Sequence, residues 1–517
     1  MEVMPAGEAR SAEEYRRLFL WALGGTLLLK MALSFVVPLT NDEAYYYQQA
    51  IRPALGYRDH PPMAAWFLYP FLLAGKTEWV IRLPAILSST LVGVGIYFLP
   101  REHDATKARA TAILYLVSPL NILFFPYTSD TPLYLFSFLS AFFFYKAVRE
   151  ERYLSYILSG AFLGLSFLSK YLAVFLGASY ALYFLSARKD RRRLAGILLL
   201  VLSAAPFVAQ NVFWNYTHSW ANVLFNLYNR NTGMRFDLQS VALHVVTQLY
   251  LVTPPVLFLL YRERKGMTER MMGSPLLAFA VLFLVPIAML TVLSTVKSIG
   301  VHWAVSFYPY LFLALFAVSG TERIAGAVQG MGVFTMAHIA ILAVLLALPL
   351  SAWRNTRFYG DLVFFFKAPE VAARLMAFER EYTFSTTSYA SAARLSYYTG
   401  NHFVVFGHGS AHGRADDLWT DFRLLDGKNI LVFLKRMPNT RELKLFFDSF
   451  ETGTLPVYGT QFHILLGKGF RYKPYRDLVL REIRDDFYAI PTFLPTGHDF
   501  FRERYFGEPA SPPRVGY

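Results

Sequence analysis

From Thr40 to Met63 the chain reads TNDEAYYYQQAIRPALGYRDHPPM, a segment crowded with acids, bases and phenols. It follows one long apolar run and soon precedes another, so its charges sit where a helix leaves a membrane. Solvation alone does not call for Asp42, Glu43, Tyr46, Arg58, Asp59 and His60 in so short a stretch. A site that moves protons or holds a polar substrate does. Further ionisable groups recur at the ends of later apolar runs: Asp130 in YTSDTP, Lys170 in FLSKY, Arg230, Arg235 and Asp237, and Lys297 and His302 in STVKSIGVHW. Chemistry on a phosphorylated lipid needs a carboxylate to take a proton from a hydroxyl and cations to hold the departing phosphate. Both kinds of group are present.

Asp42 is the first choice for general base. An unperturbed aspartate, with a pKa near ~4, is a weak base, but it can accept a proton late, as the new bond to carbon forms. Its plain alternative is to cap a helix beginning near Ala44. Glu43 either orients Asp42 or a donor hydroxyl, or is simply solvated at the interface. Asp59 and His60 precede Pro61-Pro62, and a turn there can aim both at a pocket, with Arg58 and Tyr46 as further substrate contacts. The same pair, joined by His218 or His302, is the only candidate for a divalent metal, and it falls short of the usual zinc ligand set. No other cofactor is called for. Lys170, Lys297, Arg230 and Arg235 can hold phosphate, although a lysine at a helix end also snorkels to the interface. Asp130 can bind substrate or cap the helix that follows it. Arg82, near the end of the second apolar run, is expected to pair with a loop carboxylate, Glu78 or Asp42.

The elements that must position these groups are membrane helices. Of 517 residues 55% are hydrophobic, gathered into blocks about as long as a bilayer crossing requires. The first block is too long for a cleavable signal peptide and lacks a small-residue cleavage pattern. The chain has no cysteine, which excludes disulfides and thiolate chemistry. The net charge of +14 lies largely in short loops, around Arg101–Arg109, Lys146–Arg152, Arg188–Arg193 and Arg262–Arg270, and is a topology signal rather than a nucleic-acid surface. About eleven spans are expected, at 17–37, 79–100, 108–125, 131–148, 153–169, 171–187, 194–213, 240–261, 275–295, 303–318 and 324–350. With a cytoplasmic N-terminus every basic loop falls inside, and 38–78, 126–130, 214–239 and 296–302 fall outside. Residues 1–351 then form the membrane domain, including the 38–78 loop with interfacial helices from Ala44 and from Pro61-Pro62. Residues 352–517 change character: short apolar runs at His402, Asn429, Pro456 and Phe462 alternate with helical stretches at Ser388–Tyr398 and Thr440–Phe447. They read as an α/β domain ending in a tail, PASPPRVGY.

Six motifs together carry a resemblance: NDEAYYYQQA at 41–50, GYRDHPPM at 56–63, RLPA at 82–85, SDTPLYLF at 129–136, GAFLGLSFLSKY at 160–171 and VKSIGVHW at 296–303. In order and spacing they resemble the bacterial branch of the GT-C membrane glycosyltransferases. That branch includes protein mannosyltransferase-like enzymes and the transferases that add aminoarabinose or galacturonic acid to lipid A. The resemblance implies a mainly α, polytopic fold with a C-terminal periplasmic α/β domain. It also implies transfer of a sugar from a polyprenyl-phosphate donor at the periplasmic face of the inner membrane, usually with inversion. Lipid A, lipopolysaccharide core or another envelope glycolipid is then the expected acceptor, and protein the alternative. Asp42 falls at the family's essential acidic position and Glu43 beside it, while Lys170 and Lys297 match basic positions associated with the donor phosphate. Asp59-His60-Pro61-Pro62 looks like an acidic–basic–Pro-Pro element with His60 in place of lysine, and a largely neutral imidazole weakens any phosphate clamp there. Two other classes compete. A secondary transporter would need paired broken helices and midplane charges, which the sequence does not display. An envelope polysaccharide-binding or assembly protein would rest on the C-terminal domain alone and would not need Asp42.

Overall fold

The computed structural model describes residues 6–186, 190–231, 235–437, 443–495 and 497–507. They divide into two units. The first comprises Met1–Val37, Pro70–Ala209 and Gly233–Leu346, and the second Pro38–Tyr69, Gln210–Thr232 and Ala347–Tyr517. The segments 38–69 and 210–232, expected with the membrane domain, thus fold with the C-terminal part of the chain.

The first unit is helical and makes the protein a multi-pass membrane protein. Among the described residues seven helices are long and apolar enough to cross a bilayer: Ala12–Val36, Glu78–Phe98, Asp130–Glu150, Arg191–Thr217, Leu277–Ser294, Val301–Val318 and Thr321–Ala347. The expected count of about eleven is not reached by that measure, and proline explains part of the difference. The expected span 240–261 is a pair, Leu238–Val252 and Pro254–Glu263, bent by 84° where Pro254-Pro255 cannot continue the ladder. The expected span 108–125 stops at Leu116 and restarts as a short turn, Pro119–Ile122, capped by Ser118. Tyr153–Ser169 and Ala173–Ser186 are helical but short, parted by Lys170 in an extended conformation (φ −165°, ψ 142°).

Small residues set the packing distances. A Cβ on Gly160 would lie 2.0 Å from Leu200 O, and one on Gly164 2.3 Å from the Phe207 ring. Helix Tyr153–Ser169 therefore touches helix Arg191–Thr217 nearly backbone to backbone, a close approach that only glycine permits. Buried polar groups tie other helices. The Lys30 amine donates to Ser89 Oγ (2.8 Å), Thr90 Oγ1 (2.9 Å) and Asn121 Oδ1 (3.1 Å). Arg82 Nη1 donates to Ser34 O and Val37 O, both at 2.7 Å, so it serves the carbonyls that end the first span, with its guanidinium over Phe125.

The second unit is built on a five-stranded sheet in the order β2-β1-β3-β5-β4, with β1 Thr383–Thr386, β2 Val404–Val405, β3 Ile430–Leu434, β4 Phe447–Val457 and β5 Thr460–Phe470. β1 pairs in parallel with β2 and β3, and β5 runs antiparallel to β3 and β4. β3 is buried along its whole length, in keeping with ILVFL and its central place. Tyr458 and Gly459, both at positive φ, form the two-residue turn between β4 and β5, so PVYG is a strand end plus a turn. Helix Tyr389–Thr399 agrees with the helical expectation at Ser388–Tyr398. Of the stretch Thr440–Phe447, residues 440–442 lie outside the described residues, Leu443–Phe446 are a 3₁₀ turn and Phe447 begins β4. The whole tail PASPPRVGY, with Arg188 and Lys189 of one basic loop, is likewise outside them.

Candidate active site

In the membrane unit, Asp130 opens helix Asp130–Glu150 and Lys170 closes helix Tyr153–Ser169. The Lys170 ammonium donates to both Asp130 oxygens, at 2.9 and 3.0 Å, and both side chains are buried. The capping expected of Asp130 is not its role: it is the first helical residue and its carboxylate faces a cation, which suits a helix N-terminus as well. His302 Nε2 lies 3.9 Å from the same carboxylate, on a ring that is 60% exposed. Lys170 and Lys297 both approach the Trp303 ring, at 5.8 and 5.6 Å. Gly300 lets the chain turn here, since a Cβ on it would come within 2.8 Å of the His302 ring. Arg235 is exposed, two residues before Asp237, whose N–H donates to Thr295 O and holds this approach beside the turn leading to Lys297.

A cavity of about 350 Å³ reaches this cluster. His302, Tyr250 and Thr253 are part of its wall, and the rest is apolar, including Leu120, Phe124, Leu251, Val305 and Phe334. A long hydrocarbon fits most of that wall, and His302 links it to the Asp130 carboxylate on which Lys170 also sits.

In the second unit the segment 40–69 is held by its own polar groups. Thr40, not Asp42, caps helix Asn41–Ala50: its Oγ1 accepts from Glu43 N (3.2 Å), and the Glu43 carboxylate accepts from Thr40 N (2.8 Å). This reciprocal capping box gives the buried Glu43 a structural task. Asp42, one residue earlier, is exposed. Pro62 O receives the N–H groups of Ala65 and Trp66, so the double proline does start a helix, Met63–Leu72.

Arg58 is fully buried. Its Nε donates to Ala411 O and its Nη2 to Phe487 O, and the guanidinium lies 4.6 Å from the Tyr488 ring centre. Behind it Arg414 and the Tyr488 hydroxyl both bond Asp417. Burial raises the Asp417 carboxyl, and the cations Arg414 and Arg58 oppose that shift. Asp59 is buried too, accepts from the Gln49 amide (3.1 Å), and is pushed up by burial against the polar contacts of Tyr45 and Gln49. His60 lies beside it, Nε2 to Oδ2 3.9 Å, and faces the Tyr46 ring. Gln49 Oε1, Asn222 Oδ1 and Arg58 Nη1 are buried without a hydrogen-bond partner in the protein, which is unused capacity for a hydroxyl-bearing ligand or water.

Two residues of this neighbourhood escaped the sequence reading. Tyr389 packs edge-on against Tyr45 and stacks on His412 at 5.3 Å, and the charges of Asp42, Asp59 and Arg230 all act on its hydroxyl. Burial, then the cations Arg230 and Arg58, press the His412 pKa down to about 4, so its ring is neutral at ordinary pH. Arg230 itself follows the π-helical turn Leu224–Asn229 and lies over Phe225. No motif marks Tyr389 or His412, because each is brought here by the fold of a distant segment. The metal candidates do not assemble: among the described residues no three His, Asp or Glu side chains form a metal-holding group. His218 stacks on Trp214 and bonds Trp214 O, whereas Asp59 and His60 keep company with Gln49 and Tyr46.

Comparison with known proteins agrees with this architecture. Residues 59–214 match the family described as dolichyl-phosphate-mannose-protein mannosyltransferase. Over 300 residues the chain is 25% identical to the lipid A galacturonosyltransferase RgtD of Rhizobium johnstonii, a match covering 55% of this chain and 62% of that protein. The fold is that of ArnT from Cupriavidus metallidurans: the apo structure superposes with a TM-score of 0.59 at 15% identity over 88% of this chain and 98% of that one. The undecaprenyl phosphate-bound ArnT structure gives 0.59 at 17% identity over 86% and 97%. The chain is thus similar over part of its length to these membrane transferases and shares the fold of ArnT.

Proposed function

We propose that the protein is a membrane glycosyltransferase that moves a sugar from a polyprenyl-phosphate donor to lipid A or a neighbouring envelope glycolipid on the periplasmic side of the inner membrane. The observation that carries this reading is the apolar cavity of about 350 Å³ whose wall ends at His302, beside the Asp130–Lys170 pair. A prenyl chain occupies the cavity, and Lys170 and Lys297, with Arg235, hold the phosphate. Relatives supply independent support: ArnT has been captured with undecaprenyl phosphate, and RgtD is a lipid A galacturonosyltransferase.

In the proposed step the acceptor hydroxyl oxygen bonds to the anomeric carbon. The bond from that carbon to the phosphate oxygen breaks, and its electron pair leaves with the polyprenyl phosphate. Asp42, the exposed carboxylate beside the capped Glu43, takes the hydroxyl proton. Phosphate is a good leaving group, so cations can replace a strong general acid. Tyr46, Arg58, Asp59, His60 and Arg230 bind sugar or acceptor, with Tyr389 and the neutral His412 added to that set.

Mass spectrometry of lipid A and surface glycans from cells with and without the protein tests the reading. A sugar-sized mass difference on a lipid fragment is expected. The family description that names a protein mannosyltransferase favours a second acceptor class, and a difference confined to envelope proteins would establish it. No difference in any glycan, with accumulation of a polar solute instead, would turn the assignment to a transporter.

A further inference from the structure

The membrane unit holds a second apolar cavity, of about 400 Å³, far from the groups discussed so far. Helix Leu277–Ser294 is about 27 Å long at the usual rise per residue. Its C-terminal end leads to Lys297 and His302, while Leu277 and Leu284 on its first turns line this second cavity. Leu311 and Leu315 of helix Tyr308–Val318 supply another wall, and Met267 and Met271 of the short helix Met267–Met272 a third. The cavity therefore lies toward the end of that helix away from Lys297 and His302. Its size falls in the range of ligand pockets, roughly 300–1,000 Å³, and thioether and aliphatic walls suit a flexible chain.

The rim is basic. Leu260 and Met267 both line the cavity, and the connection between them carries the exposed cations Arg262, Arg264 and Lys265. The acid in that connection, Glu263, is already neutralised: its buried carboxylate bonds Arg270 at 3.0 Å and Arg323 at 2.9 Å. Arg270 also donates to Val318 O, Lys265 O and Glu263 O, which fixes the rim to the end of helix Tyr308–Val318. Positive charge remains beside an apolar recess at a membrane surface. An anionic amphiphile complements both features.

We propose that this recess is a binding site for an anionic phospholipid of the leaflet on the basic-loop side, its acyl chain in the cavity and its phosphate on Arg262, Arg264 and Lys265. The site lies at the opposite end of the helix from the proposed donor cavity and does not rest on the glycosyl-transfer reading.

Native mass spectrometry of the whole protein, released from nanodiscs of equal phosphatidylglycerol and phosphatidylcholine, tests the proposal. The expected result is one retained phosphatidylglycerol, preferred at least tenfold over phosphatidylcholine. Arg264→Glu with Lys265→Glu, surface changes that leave the fold intact, should abolish the preference. Ala314→Phe, which fills the cavity, should abolish retention of either lipid. Equal retention of the two lipids by the unaltered protein would overturn the proposal, as would unchanged preference in the charge-reversed variant. A prenyl phosphate found there instead would also overturn it and give the recess to the donor lipid.

Discussion

The membrane unit and the segment 40–60 of the second unit both bury charge, and they compensate it in opposite ways. Around Asp130 an ion answers an ion: Lys170 bonds both carboxylate oxygens, with the His302 ring nitrogen at 3.9 Å. Around Glu43, Arg58 and Asp59 mainly neutral dipoles do the work, through a capping box, carbonyl oxygens and an amide. Ion–ion compensation in a low dielectric is strong but exchangeable, because another anion can compete for the same cation. Dipolar compensation is architectural, and what it leaves over is single polar atoms, Gln49 Oε1, Asn222 Oδ1 and Arg58 Nη1. The base proposed for this region is an exposed neighbour of these groups, Asp42.

The contrast can be broken from either side, and the largest effect is expected at Asp42. Asp42→Asn should lower transfer by at least about 10²-fold, the low end of general-base contributions, with donor affinity and melting temperature unchanged. Full turnover by the purified variant, measured with a polyprenyl-phosphate sugar, would remove the base from Asp42. Next in size, Lys170→Met strands the buried Asp130 carboxylate and should destabilise the membrane unit by about 3–5 kcal/mol. Adding Asp130→Asn should restore most of that stability while donor affinity stays low. If the double variant binds donor normally, the pair is purely structural.

Glu43→Ala should lose about 1 kcal/mol of stability, the usual size of a capping contribution, with turnover per folded molecule retained. A collapse of turnover without a drop in melting temperature would instead return Glu43 to the chemistry. The last effect, confined to acid pH, concerns His412. Its folded pKa, about 4, lies below the ordinary histidine value of 6.5, so the unfolded chain binds more protons between those values. Stability contributed by the neutral ring is present above pH 6.5 and declines as pH falls toward 4. His412→Gln should flatten that part of the melting-temperature profile, and an unchanged profile would mean the ring titrates normally.

The sequence made some of this legible and hid the rest for physical reasons. Apolar runs found every long helix, since a bilayer crossing is a local, additive property. The break at Pro254-Pro255 was equally visible in the letters, but hydropathy averaged it away. Capping, the plain alternative for Asp42, falls to Thr40, because the helix begins at Asn41, three residues earlier than expected. β3 and β5 stood out as apolar runs, whereas β1, TFST, is too short and polar to announce itself. Tyr389 and His412 could not be foreseen, because their neighbours Tyr45, Arg58 and Arg230 lie more than a hundred residues away in the chain.

Lys30 bears on how the chain enters its bilayer at all. A lysine in an inserting segment is opposed by up to about 3 kcal/mol, and the amine finds relief on Ser89, Thr90 and Asn121, which the ribosome makes 59 to 91 residues later. The first segment therefore settles fully only once the two following segments have emerged, so insertion of this protein is cooperative from its opening step.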